Sequence, residues 1–165
     1  MAKKLEFSAG DFVVYPTHGV GRVLEIDQQD ISGFKVELIV IKFEHDRMIL
    51  RVPVEKAHNS GLRKLSSKKI MESALTTLKG RSRAKRTMWS RRAQEYEAKI
   101  NSGDPVSIAE VVRDLHRADD QPEQSYSERQ MYQAALDRLA REFAALEQID
   151  ESAAAEKLEN MLKAA

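Results

Sequence analysis

The chain contains no cysteine, so disulfides, thiolate metal sites and thiol nucleophiles are all excluded. Proline and glycine are sparse, four and seven in 165 residues, so each one that occurs marks a specific break or turn. Aromatic residues make up only 6% and include a single tryptophan, Trp89. Long apolar runs are also missing. The N-terminal Met1-Ala2-Lys3-Lys4-Leu5-Glu6 leads into a charged, alternating segment, so neither a signal peptide nor a membrane span is expected and the expected setting is the cytoplasm. His18, His45, His58 and His116 are too widely spaced for a local metal motif, and no HExxH or GxSxG occurs. No metal, cofactor or enzyme activity is expected. Gly19-Val20-Gly21 lacks the third glycine of a nucleotide loop and no helical pattern follows it, so it reads as a hairpin turn needing positive φ.

What is present is unevenly distributed. From Leu62 to Arg92 there are eleven Lys or Arg against one acid, Glu72, a local charge of about +10 that the rest of the chain offsets with about −9. The net +1 therefore hides a dipolar layout. Composition changes at the same place: Val, Ile, Phe and Gly dominate the first sixty residues, and Ala, Leu, Glu, Lys and Arg the remainder. Two domains are predicted, 1–61 and 62–165, each able to bury a modest core.

In the first, strands are predicted at Phe12 to Tyr15, Arg22 to Asp27, Phe34 to Phe43 and Met48 to Val52, with Ser32-Gly33 as a hairpin turn. The run Leu38 to Ile41 is continuously apolar, as a strand entering an interior would be. Short strands joined by tight turns read as a small SH3-like or Tudor-like barrel. Met48 to Val52 stops at Pro53, which fits an edge strand, either open to a strand from another protein or protected by Arg47 and Arg51. Beyond Gly61 the period turns helical. Five amphipathic helices are predicted, from Ser66 or Ser67 to Gly80, from Trp89 to Asn101, from Val106 to Ala118, from Ser127 to Gln148 and from Glu151 to Lys163. The fold class is α+β in two domains, a small β-barrel followed by an all-α bundle.

The densest basic run, Lys79 to Arg92, encloses Trp89. Thr87 is the expected N-cap of the helix that follows, which places Trp89 in its first turn with Arg91 and Arg92 just behind. A first-turn side chain leans toward the helix N-terminus and can project past it, and arginines there oppose the helix dipole but suit a phosphate. Trp89 also shares a stripe with Ala93, Tyr96 and Ile100, so burial in the bundle is the other position open to it.

These residues resemble a known family. Gly10-Asp11-Phe12-Val13-Val14-Tyr15-Pro16-Thr17-His18-Gly19-Val20-Gly21, with Arg51-Val52-Pro53, is similar to the RNA-polymerase-interacting domain of the CarD, CdnL and transcription-repair coupling factor group. Trp89-Ser90-Arg91-Arg92, Ser102-Gly103-Asp104 and Ala109-Glu110-Val111-Val112-Arg113-Asp114-Leu115 resemble the helical domain of the CarD/CdnL branch. The resemblance implies a monomeric bacterial transcription regulator whose barrel edge docks on the lobe or protrusion of the polymerase β subunit, through Ile49, Arg51, Val52 and Pro53 with Gln29 and Ile31. Gln29 stands where some members carry a basic residue. It further implies that Trp89 wedges into the promoter minor groove at the upstream edge of the bubble and stabilises the open complex. Arg91 and Arg129 match basic contact positions, Lys85, Arg86 and Arg92 add nonspecific charge, and a further family lysine falls on Gln94 and is not carried over. The alternative is a polymerase-independent nucleoid protein or RNA binder, which would hold nucleic acid tightly by itself.

Overall fold

The computed structural model describes residues 7–43, 47–57, 59–82, 87–117 and 122–164. Two compact units emerge, Met1–Leu65 and Ser66–Ala165. The break falls after Leu65, not after Gly61, because Arg63 and Lys64 still belong to the sheet.

The first unit is a five-stranded antiparallel sheet of β1 (Phe12–Tyr15), β2 (Gly19–Ile31), β3 (Phe34–Phe43), β4 (Met48–Pro53) and β5 (Arg63–Lys64), in the order β4-β3-β2-β1-β5. β2 is longer than its apolar pattern suggests, because Gln28 to Ile31 keep pairing with β3 up to the turn. Ser32 and Gly33 both take positive φ, 52° and 84°, the conformation a two-residue hairpin turn requires. Gly19 has the expected positive φ of 80°. Gly21 differs from the sequence reading: it lies within β2, and the constraint there is space. One face of the sheet is the core, where Val13, Val23, Ile39, Ile41, Phe43 and Val52 meet Phe7, Ala57 and Leu62. A 3₁₀ turn at Val54–Lys56 carries the chain from β4 toward β5.

The second unit holds α1 (Lys68–Leu78), α2 (Trp89–Asn101), α3 (Pro105–Leu115), α4 (Tyr126–Glu147) and α5 (Glu151–Ala164). α3 is the hub: its Ile108, Ala109, Val111, Val112 and Leu115 are buried, and it packs on α1, α2 and α4. The starts of α1, α3, α4 and α5 are set by side-chain capping. Ser67 accepts from the Ile70 amide at 3.2 Å, Asp104 from Ser107 at 3.3 Å with Pro105 at the first helical position, and Ser125 from Glu128 at 3.3 Å. Asp150 accepts from the Ala153 amide at 3.0 Å. Among the described residues no helix is long and apolar enough to cross a membrane.

Candidate functional site

Register decides which residues of the β unit can act together. Directly opposed residues of an antiparallel pair lie on the same face. Arg51 is opposite Val40, which is opposite Glu25; Pro53, Leu38 and Asp27 form the next row; Gln29–Val36 and Ile31–Phe34 follow toward the hairpin tip. Ile49, Arg51, Pro53, Gln29 and Ile31 therefore share the face turned away from the core. Val52 points the other way and is buried, because a strand alternates its side chains. It contributes to the core, and at a β4 contact could offer only its backbone. Among the described strands β4 is at the edge of the sheet, beside β3.

This face is mixed: exposed apolar and basic groups stand beside the acids Glu25 and Asp27, and Leu38 and Val40 between them are buried. Ile49 and Ile31 are about half exposed, at 49% and 51%, and Arg51 is exposed. The row next to Arg51 runs Ile49, Lys42, Arg22, Phe12, with the Arg22 guanidinium 5.3 Å from the Phe12 ring centroid. Gln29 donates to the Asp27 carboxylate at 3.2 Å. Phe34, which the sequence reading did not select, is 74% exposed beside Ile31. Its signal was available: a two-residue turn at Ser32-Gly33 obliges residues 31 and 34 to face each other.

The second site is the start of α2. Its N-cap is Met88, not Thr87, and no side chain caps it. Thr87 lies one residue too early, because Met88 has the extended φ/ψ of −55° and 140° and Trp89 is the first helical residue. Met88 is 77% exposed. Thr87, Met88, Ser90, Arg91 and Gln94 line an open groove of about 440 Å³. Arg91 is exposed in it.

Trp89 takes a position between the two the sequence leaves open. It is half-buried and packs on the rim of the bundle core, its ring centroid 6.3 Å from that of Tyr96 at a 49° tilt. Arg92 is drawn to the same spot, its guanidinium carbon 5.6 Å from both ring centroids. Arg129 is exposed in the first turn of α4. Lys85 and Arg86 lie outside the described residues, as do His45 and His58. His18 stacks on Tyr15 at 5.5 Å, and His116 lies beside Tyr132, 3.4 Å from its hydroxyl.

Comparison with known proteins identifies the class and then the family. The model described as "CarD-like/TRCF RID domain", an RNA-polymerase-interacting domain, matches residues 7–66, and that described as "CarD, C-terminal domain" matches residues 73–159. The chain is 27% identical over 145 residues to "Putative transcription factor YdeB" of Bacillus subtilis strain 168, spanning 88% of this chain and 95% of that protein. The solution NMR structure of the 72-residue N-terminal domain of Myxococcus xanthus CarD shares 36% identity over 38% of this chain and 84% of that one, with a TM-score of 0.32. A β unit and a helical unit matched in this order define a transcription regulator. The chain belongs to the CarD family.

Proposed function

We propose that the protein binds the RNA polymerase β subunit, at its lobe or protrusion, through the outer face of the β unit, and stabilises the open promoter complex by setting Trp89 at the upstream edge of the bubble. The observation that carries this reading is the start of α2: a partly buried tryptophan opens the one described α-helix whose N-cap residue, Met88, has no oxygen-bearing side chain, with Arg91 exposed beside it. A helix start without a side-chain cap, together with an exposed arginine, favours a phosphate. A planar apolar ring next to them suits a distorted base step, where filling the step offsets a few kcal/mol of unstacking.

On the β unit, Ile49, Arg51 and Pro53, extended by Gln29 and Ile31, lie on one face beside the β4 edge, with Glu25 and Asp27 in the same rows. That suits an acidic-rimmed apolar patch or an added strand on the partner. Once docked, the protein needs little affinity of its own for DNA, because tethering supplies a high local concentration. A preference of about 1.4 kcal/mol for the open over the closed complex shifts their ratio tenfold. Arg91 and Arg129 hold the backbone, and nothing in the arrangement reads base edges.

A reconstituted footprint of polymerase on promoter DNA, with and without the protein, tests the reading. Added protection at the upstream edge of the bubble, absent when polymerase is omitted, is the expected result. Tight binding to duplex in a gel shift without polymerase would instead indicate a nucleoid protein. Free DNA binding should be weak, with a log-log salt slope of about −0.9 per phosphate neutralised.

A further inference from the structure

Arg92 is the cation of the α2 start that does not face outward. Trp89, Arg92 and Tyr96 fall at helix spacings of three and four residues, which stacks their side chains along one stripe. The guanidinium lies over both rings at 5.6 Å and donates to the Tyr96 hydroxyl at 3.2 Å. Its Nε is shielded from solvent and has no hydrogen-bond partner among the described residues. Arg91, one residue earlier, is exposed on the groove. Two adjacent arginines thus have different environments, one open to an anion and the other closed over aromatic faces.

We propose that Arg92 is a positioning residue, a clasp that holds the Trp89 indole against Tyr96 by cation–π attraction and so fixes the direction in which the ring leaves the helix. The guanidinium carbon lies within cation–π distance of two rings at once, a placement a phosphate-binding arginine has no need of. Its shielded Nε is the cost of that placement, since a group free to move would hydrate it. Without the clasp the indole gains rotamers, and a ring with several orientations inserts less often than one held in a single orientation. The consequence for promoter opening rests on the wedge role proposed above; the clasp itself does not.

The lone tryptophan makes the test direct, because all indole emission comes from Trp89. In the full-length protein, Arg92→Met should shift that emission to the red and raise its acrylamide quenching, reflecting a roughly two- to fivefold shift toward the unclasped ring, as loss of a partly exposed cation–π contact gives. Arg92→Lys keeps the charge and should recover at least half of the protection. Helical circular dichroism, read alongside, should stay at wild-type intensity for both. Unchanged quenching in Arg92→Met, or no recovery in Arg92→Lys, would overturn the clasp. A second readout separates the two arginines: Arg91→Met should flatten the salt slope of duplex binding by about 0.9, and Arg92→Met should leave it unchanged. An equal loss in both would assign Arg92 to phosphate and contradict the proposal. Wedge failure is read separately, from the lifetime of open complexes carrying Trp89→Ala: a clasp present in fluorescence with no lifetime effect refutes the wedge alone.

Discussion

A Cβ built on Gly21 would lie 2.6 Å from the Ile41 side chain and 2.8 Å from the Phe43 ring, both fully buried. The glycine therefore lets β2 cross the core of the β unit at close range. Gly21→Ala should destabilise that unit by about 1–3 kcal/mol, the usual cost of overpacking, seen as a lower urea midpoint. An unchanged midpoint would mean the two neighbours can move aside. Reading GVG as a turn found the positive φ at Gly19 and missed this packing role, because close approach depends on Ile41 and Phe43, twenty residues away. In the helical unit, burial and the nearby Glu159 charge push the Tyr132 hydroxyl from its usual 10.0 up to about 12. A raised folded-state value means the unfolded chain loses the proton first. Stability should hold below about pH 10 and fall as pH rises toward 12. Tyr132→Phe should remove that part of the alkaline slope in urea titrations; a slope equal to wild type would assign the loss to other groups.

At the scale of elements, the strand and helix periods were legible from the sequence, and the ends were less so. β5 has two residues, too few for any periodicity, and exists because Arg63 and Lys64 reach Val14 and Val13 of β1. The start of α2 lies a residue beyond the expected cap, since its backbone turns at Met88 and not at the capping type Thr87. For Val52 the cause is register: a mostly apolar strand does not declare which side faces inward until its partners are known. No local pattern foretells the buried Glu142 either. Its carboxylate accepts from the buried Ser66 amide at 2.8 Å, tying the segment that leads into α1 to the middle of α4. Glu142→Ala leaves that amide without this acceptor and should cost about 1–3 kcal/mol, while Glu142→Gln, which keeps an oxygen, should cost less. Equal losses in thermal melts of the two variants would show that packing of the side chain, not acceptance, is what matters.

Across the whole molecule, labour is divided by chemistry. The β unit carries a sheet edge and a face of mixed apolar and charged groups; the helical unit carries the tryptophan and the excess cationic groups of residues 79–92. The change of composition and period near residue 61 lies close to the end of the β unit at Leu65, and the family matches end at 66 and resume at 73. What composition could not provide is the state of Trp89, which depends on how Arg92 and Tyr96 fold over it. Each unit should fail separately. Arg51→Glu should abolish capture of polymerase in a pull-down and leave weak duplex binding as it was; normal capture would move the docking surface off the β4 face. The central claim, that this protein stabilises open promoters through its tryptophan, is tested most directly by the lifetime of open complexes after competitor challenge. With Trp89→Ala the lifetime should fall several-fold, toward that of polymerase alone, while polymerase capture stays at the wild-type level. A wild-type lifetime with the variant bound would contradict the account.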